Sequence, residues 1–192
     1  KLYEGARSLS RWMGEQDPFV RMTLSRSAFV QATTDDTANR LYHLGANRVK
    51  VSPAIGLFPD QIHRLAQYPL PEAAPIRFVS IGRLLHWKGF HLGLKAFAQA
   101  GLTDAEYWII GDGPELTRLQ DQVAQDGIAS QVKFCGLLPR SETFEKLAQC
   151  HALVHPSLHD SGGWVCLEAM AAGRSVICLD WGGPAVQVTE QT

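Results

Sequence analysis

Two cations five residues apart are the first candidates for chemistry in this sequence. Arg83 and Lys88 lie in a stretch bounded by Gly82 and Gly89. An arginine offers a planar fork of donors and a lysine a compact point charge, so the pair can converge on one dianion. The same spacing also fits two solvated surface residues. The pair therefore predicts an anion site only if a second segment supports one.

The segment from His155 to Met170 provides that second feature. A strand is predicted to end at its start, a glycine loop follows, and a helix is predicted to begin near Gly163. A helix N-terminus reached through glycines binds phosphate or carboxylate, because its first amide N–H groups are unpaired and its dipole is positive. Glu168 falls just over one turn inside this helix, where its carboxylate can accept both hydroxyls of a sugar diol.

The chain from Ile76 onward alternates short β-branched runs with amphipathic stretches, which is typical of parallel strands joined by crossover helices. The predicted strands cover residues 76–81, 106–110, 131–135, 151–155 and 175–179. Two predicted helical faces are formed by Phe90, Leu94 and Phe97, and by Leu116, Leu119 and Val123. We therefore predict an α/β fold, a Rossmann-like doubly wound parallel sheet, with its ligand site at the carboxyl ends of the strands.

Three residues are predicted to set helix ends in this part of the chain. Pro114 suits a first helical position, Ser141 can cap the following helix, and Gly173 can end the helix that contains Glu168. Glycines crowd the loops after the strands, where the missing Cβ lets the backbone approach a ligand closely. These loops are expected to form a cleft.

The front of the chain is predicted to be the end of a different α/β domain. Its expected elements are two short helices around Trp12, Phe19 and Leu24, a strand at 28–32, a helix over 35–44 and a strand at 48–52. Five prolines within residues 53–75 predict a linker with one helical turn around residues 62–66. The predicted organisation is therefore a domain end at 1–52, a linker at 53–75 and a second domain at 76–192.

The composition excludes several classes of partner. The 192 residues contain 18 Lys and Arg against 19 Asp and Glu, a net charge of −1. This balance disfavours nucleic-acid binding through bulk charge, so any anion must be held locally. Four cysteines without a CxxC pair are interpreted as reduced thiols of an intracellular protein; they are Cys135, Cys150, Cys166 and Cys178. No apolar run is long enough for a membrane helix, and we expect a cytoplasmic location, with the inner face of a membrane as the alternative.

Two further features of the sequence could indicate a metal site and ring stacking on a ligand, but we favour neither. His151, His155 and His159 recur every four residues, but they run from a predicted strand into a loop, so no metal site is expected. His159 is instead a candidate for the lining of the ligand pocket. Trp87 and Trp164 could stack on a base or sugar, although we favour burial of both indoles against the sheet.

Five motifs occur in order along the second half of the chain. They are Gly82-Arg83 with Lys88-Gly89, the Gly111-Asp112-Gly113-Pro114 turn, Phe134-Cys135-Gly136, the acidic-x7-Glu motif from Asp160 to Glu168, and Gly182-Gly183. In this order they resemble the nucleotide-sugar-binding C-terminal domain of GT-B fold retaining glycosyltransferases of the family 4 type. Residues 28–57 also look like the end of that family's N-terminal domain.

The resemblance implies a role for each matching position. Arg83, Lys88 and Asp160 would form the catalytic group, in which the two cations stabilise the leaving nucleotide diphosphate and Asp160 binds hydroxyls of the donor sugar. Glu168 would hold the ribose, and the backbone of residues 136–138 the base. The donor-binding positions implied in this way are Gly82, Gly136, Leu137, Leu138, Ser161, Gly162, Gly163, Trp164, Val165 and Glu168. The resemblance implies no cofactor and no metal in such a site.

The resemblance also implies the partners of the full enzyme. The donor would be a UDP-, GDP- or ADP-sugar, and the acceptor a carbohydrate or a lipid-linked sugar, with peripheral association of the full enzyme at a membrane left open. This chain would be a fragment, which we expect to be inactive by itself. The alternatives are a nucleotide-sugar epimerase or phosphorylase of GT-B fold, and a non-catalytic nucleotide-sugar-binding module.

Three features depart from the family's pattern, one of them being Ser161-Gly162-Gly163, where the family usually has Gly-Phe-Gly. The family usually has Glu where this chain has Asp160, which is shorter by one methylene. The family also commonly places an acidic residue where this chain has Val186. The departure at Asp160 bears on which donor sugar is recognised.

Overall fold

The computed structural model describes residues 2–52 and 56–188, with side chains from residue 9 onward. The chain divides into two compact units, Lys1–Ala54 and Ile55–Thr192. The predicted assignment of a domain end, a linker and a donor domain to 1–52, 53–75 and 76–192 stays a prediction.

The first unit is a small parallel β-α-β arrangement preceded by two helices. Its elements are α1 (Leu2–Gln16), α2 (Pro18–Arg26), β1 (Val30–Ala32), α3 (Asp35–His43) and β2 (Val49–Val51). β1 and β2 pair in parallel. Asp17 caps α2 and Thr34 caps α3, each accepting a hydrogen bond from a backbone amide of the first turn. The predicted elements are confirmed, except that α1 is longer than the short helix expected.

The second unit opens with α4 (Pro59–Ala66), inside the proline-rich stretch. The helix is two turns long where one turn was predicted. Pro59 occupies its first turn, where a missing N–H costs nothing, and the Gln61 side chain accepts from the Phe58 amide at 3.0 Å. Leu65 is buried against Phe144 and Ala172, so this helix is part of the second unit's packing.

The core of the second unit is a five-stranded parallel sheet. Its strands are β3 (Ile76–Ile81), β4 (Ala105–Ile110), β5 (Val132–Gly136), β6 (Ala152–His155) and β7 (Ser175–Cys178). They are arranged in the order β5-β4-β3-β6-β7, and every pair is parallel. The predicted strand limits are therefore right to within one residue. The chain reverses its direction of winding between β3 and β6, which is where open α/β sheets place their ligand clefts.

Helices cover both faces of this sheet. They are α5 (Phe90–Ala100), α6 (Leu116–Gln125), α7 (Arg140–Ala148), α8 (Trp164–Ala171) and α9 (Gly182–Gln187). Along β4, Tyr107 packs with α5 and α6 on one face, while Trp108 packs with α7 and α8 on the other. This alternation buries successive residues of one strand on opposite sides, as expected of a central parallel strand. The predicted doubly wound α/β fold is confirmed.

Three predicted helix details were wrong. α6 begins at Leu116, so Pro114 lies in the preceding turn and not at the first helical position. α7 begins at Arg140 after Pro139, which places Ser141 inside the first turn and not at its cap. The glycines at 182 and 183 open α9, where only a glycine loop was predicted. Gly173, in contrast, follows the end of α8 with a positive φ of 70°, as predicted.

Within the described residues, no helix combines the length and the apolar character that crossing a membrane requires. All four cysteines are free thiols, with Cys150 and Cys166 buried and the other two half-buried. Burial raises the pKa of both buried thiols to about 12. They are therefore protonated at neutral pH.

Candidate functional site

The loop after β3 lies directly against the loop after β4. The Leu84 amide donates to the Asp112 carbonyl at 2.9 Å, and a Cβ on Gly111 would lie 1.9 Å from the Gly82 carbonyl oxygen. Only glycine permits this approach. Leu84 is fully buried, which leaves Arg83 exposed beside it. The Arg83 guanidinium forms no hydrogen bond or ion pair with any residue that the structure describes.

The second cation is positioned by a close backbone contact. A short 3-10 helix, His86–Lys88, ends at Gly89, whose φ is +69°. A Cβ on Gly89 would lie 1.9 Å from the Pro156 carbonyl oxygen, so the loops after β3 and β6 meet at this glycine. The meeting brings Lys88 Nζ to 2.7 Å from Asp160 Oδ2.

Asp160 is held by four hydrogen bonds from its own chain. Its Oδ1 accepts from the amides of Gly162 and Gly163 at 3.3 and 3.1 Å. Its Oδ2 accepts from Lys88 Nζ at 2.7 Å and lies 3.1 Å from His155 Nε2, which donates to it. The bonds from His155, Lys88 and the Gly163 amide hold the pKa of Asp160 well below its usual range, although burial opposes them. Asp160 is therefore an anion across the physiological pH range.

Glu168 lies on α8, just over one turn from its start, and is 8% exposed. Its Oε1 pairs with Arg140 Nη2 at 2.5 Å, while no described residue donates to its Oε2. Burial raises the pKa of Glu168, and the charge of Arg140 offsets part of that rise. One oxygen of a buried carboxylate is thus left to accept from a ligand.

A cavity of about 350 Å³ opens at the carboxyl ends of β3 and β4. Five predicted site residues line it, namely Gly82, Arg83, Leu137, Leu138 and Glu168. Gly136 is not among the lining residues, but it ends β5 immediately before Leu137 and has a positive φ of 69°. Cationic and carboxylate groups therefore border the same space.

The other predicted residues form a second group and do not line this cavity. Lys88 and Asp160 are paired with each other, Ser161, Gly162 and Gly163 lead into α8, and Trp164 and Val165 form its first turn. Glu168 on the same helix borders the cavity. The N-terminal part of α8 thus connects the two groups.

The interpretation of two tryptophans as core residues was wrong. Trp87 is 43% exposed and Trp164 is 41% exposed. The buried positions of their segments are taken by Leu84 and Cys166, each with no exposed surface. Both indole rings are therefore partly exposed to solvent near the other predicted site residues.

Two residues that contact the candidate site residues were missed by the sequence reasoning. His155, the last residue of β6, bonds Asp160, and Arg140, the first residue of α7, pairs with Glu168. Both stand at the carboxyl-end edge of the sheet, so their position was a usable signal. His159 was considered in place of His155, although His155 is the one that is 6% exposed and faces the carboxylate.

The three evenly spaced histidines do not converge. His151 bonds the Arg77 amide and the Glu72 carbonyl, whereas His155 bonds Asp160. Across residues 2–52 and 56–188, no three His, Cys, Asp or Glu side chains form a group that could hold a metal ion.

Comparison with known proteins fits this geometry. The family model described as glycosyl transferases group 1 matches residues 66–192, about two thirds of the chain. This chain belongs to that family. The match spans the whole parallel sheet and both groups of site residues.

Curated glycosyltransferases extend the similarity into the first unit. The 2-deoxystreptamine glucosyltransferase of Streptomyces kanamyceticus is 28% identical over 92% of this chain and 46% of its own length. The lipopolysaccharide core biosynthesis glycosyltransferase LpsE of Rhizobium meliloti is 33% identical over 95% of this chain and 52% of its own length. The chain thus spans about half the length of the curated relatives it matches.

Solved structures share the fold. Anabaena HepE in complex with UDP superposes with a TM-score of 0.69 at 23% identity, over 89% of this chain and 50% of that one. Sucrose-phosphate synthase from Thermosynechococcus elongatus gives 0.68 at 22% identity, over 88% of this chain and 45% of that one. The second unit has the Rossmann-like architecture of a GT-B domain.

Proposed function

We propose that this chain supplies the donor-binding half of a glycosyltransferase, which moves a hexose from a nucleotide diphosphate sugar to an acceptor with retention at the anomeric carbon. One observation carries the proposal: the Arg83 guanidinium and the Oε2 of buried Glu168, which no described residue engages, border one cavity at the sheet's carboxyl edge. The names of the similar proteins support it, because they are glycosyltransferases and the Anabaena structures hold UDP or UDP-glucose.

Arg83 and Lys88 are proposed to bind the diphosphate. Breaking the bond between the anomeric carbon and the phosphate oxygen leaves negative charge on the diphosphate. Fixed cations interact more strongly with that charge than with the intact donor, and this difference lowers the barrier. Arg83 has no partner among the described residues, so it would lose no interaction on binding the diphosphate. Lys88 would bind the diphosphate from a position next to Asp160, with which it forms an ion pair.

Glu168 and residues 136–138 are proposed to hold the nucleoside. The Oε2 of Glu168 can accept from a ribose hydroxyl while Oε1 keeps its pair with Arg140. The backbone of Gly136, Leu137 and Leu138 would contact the base. Leu137 is largely exposed, so a base can reach this segment. Ser161, Gly162, Gly163, Trp164 and Val165 would surround the diphosphate and the donor sugar.

The remaining features of the full enzyme are proposed from the family. Its acceptor would be a carbohydrate or a lipid-linked sugar, bound largely by the part of the enzyme that its relatives have beyond this chain. No metal or cofactor is assigned a step. The base is proposed to be uracil, guanine or adenine, and peripheral membrane association of the full enzyme fits a lipid-linked acceptor.

Calorimetric titration with UDP, GDP and ADP tests the proposal, with inorganic diphosphate as a second ligand. We expect at least one nucleotide to bind, and Glu168→Gln to weaken it by about 5- to 10-fold while leaving inorganic diphosphate unaffected. In the variant the amide oxygen faces Arg140, which turns an NH₂ group without acceptor capacity toward the ribose.

Stability provides the control for this variant. Burial raises the pKa of Glu168, so the charged form is penalised in the fold, and the amide should not lower the free energy of unfolding at neutral pH. The proposal is wrong if no nucleotide binds the unaltered chain, or if Glu168→Gln weakens inorganic diphosphate and nucleotide equally.

A further inference from the structure

Arg140 is a second cation at the cavity, and the proposed function assigns it no contact with a ligand. Its side chain is 56% exposed and borders the cavity together with Phe144 and Glu168. Its Nη2 donates to Glu168 Oε1, while its remaining N–H groups form no hydrogen bond with any residue that the structure describes. The planar guanidinium is thus held at one edge beside the cavity.

The ring of Phe144 supports this guanidinium on one face. The two residues are four positions apart on α7, so their side chains share a helix face, and Arg140 Cζ lies 5.0 Å from the ring centroid. Phe144 is 5% exposed and packs with Leu65 of α4 and with Ala172, which follows α8. The support under Arg140 is therefore a buried core side chain.

The position of Arg140 is unfavourable for α7 itself. Arg140 is the first residue of this helix, after Pro139 at the cap. The helix dipole is positive at this end, so it repels a cation in the first turn. A residue that opposes the local preference is expected where it serves a site. The ion pair with Glu168 offsets the repulsion and holds the guanidinium over the Phe144 ring.

The segment proposed to contact the base ends directly before this helix. Leu137 and Leu138 border the same cavity, and only Pro139 separates them from Arg140. Glu168, which is proposed to hold the ribose, pairs with Arg140. A base that is joined to this ribose and lies along residues 136–138 is therefore placed to reach the face of the guanidinium opposite Phe144.

We propose that the nucleobase of the donor stacks on the guanidinium of Arg140, which the Phe144 ring supports from below. The inference rests on the proposed function, because the base is that of the nucleotide diphosphate sugar. Guanidinium planes stack on nucleobases, and such stacking tolerates different bases because every base has a π-face. Arg140 therefore strengthens nucleotide binding without selecting among uracil, guanine and adenine.

Arg140→Lys tests the stack in calorimetric titrations of the full chain with UDP, GDP and ADP. Lysine keeps the charge and an N–H donor for Glu168 but lacks the planar surface, so it does not replace arginine at a stacked site. We expect every nucleotide that binds to lose about 5-fold in affinity, with a similar factor for each base, while the affinity for inorganic diphosphate is unaffected.

Arg40→Lys is the matched control. Arg40 is an exposed arginine of α3 that also pairs with a glutamate, Glu15, and it does not border the cavity. This variant should keep the nucleotide affinity of the unaltered chain. Denaturant midpoints should be unchanged in both variants, because each keeps its charge on an exposed side chain.

A double variant separates stacking from the orientation of Glu168. In the Glu168→Gln background, Arg140→Lys should still weaken the nucleotide by about 3- to 5-fold, because the stack acts on the base and not on the ribose. If the double variant binds nucleotide as well as Glu168→Gln alone, Arg140 acts only through Glu168 and the inference is overturned.

The outcomes also distinguish this inference from the proposed function. If the unaltered chain binds a nucleotide and Arg140→Lys binds it equally well, stacking is wrong while the donor site stands. A loss of affinity for inorganic diphosphate that equals the loss for the nucleotide would assign Arg140 to the diphosphate and also overturn the stack. A chain that binds no nucleotide contradicts both proposals.

Discussion

Replacing Arg83 by alanine should weaken nucleoside diphosphate binding to this chain by roughly 10- to 100-fold. Arg83 borders the cavity and forms no hydrogen bond with a described residue, so all the N–H donors of its guanidinium can bind the ligand. A hydrogen bond between charged groups contributes about 1.5–3 kcal/mol, and 1.4 kcal/mol corresponds to a factor of ten. Calorimetry with the nucleotide that binds best measures the effect directly.

The same variant should leave the fold intact. Since Arg83 is exposed and bonds no described residue, the free energy of unfolding should change by less than about 0.5 kcal/mol. Arg64→Ala is the matched control, because Arg64 is an exposed arginine on α4 that does not border the cavity. Equal losses of affinity in both variants would indicate a general effect of net charge and not a binding site.

Replacing Gly89 by alanine should destabilise the second unit by about 3 kcal/mol or more. The left-handed backbone alone costs a residue with a Cβ about 1–2 kcal/mol, and the new methyl would lie 1.9 Å from the Pro156 carbonyl oxygen. The two loops must separate to relieve that contact. Lys88 would move with its loop, so nucleotide affinity should fall as well.

Gly101→Ala isolates the effect of the backbone. Gly101 has a similar φ of +60°, and among the described residues no heavy atom lies within 4 Å of the position that a Cβ would take there. Its alanine variant should lose only about 1–2 kcal/mol and keep its nucleotide affinity. Denaturant midpoints measure the two losses side by side. If Gly89→Ala costs no more than Gly101→Ala, the loops after β3 and β6 do not meet as described.

The sheet was predictable because its signals are local. Each strand from β3 to β7 is a short, largely apolar run with at least one β-branched residue and is followed by a glycine or proline loop. The helices between them show apolar residues at helical spacing. Parallel strands place their carboxyl ends at one edge, so the grouping of Arg83 with Glu168 followed from topology alone. The family motifs lie in these same loops.

The pairings within the site were not predictable, because they depend on distances across the fold. Arg140 meets Glu168 across 28 positions, and Lys88 meets Asp160 across 72. No periodicity encodes that Asp160 accepts from Lys88, His155 and two amides at once. The exposure of Trp87 was missed for a similar reason, since Leu84 takes the buried position in that loop only once the neighbouring strand is in place.

Amide NMR of the isotope-labelled chain, titrated with the nucleotide that binds best, tests the central claim most directly. A donor-binding half of a glycosyltransferase should shift the amides of residues 82–84 and 136–138, in two loops at the cavity, and of residues 163–168, at the start of the helix that carries Glu168. Shifts confined to the first unit, or to the apolar cavity beside Phe97 on the other side of the sheet, would contradict it.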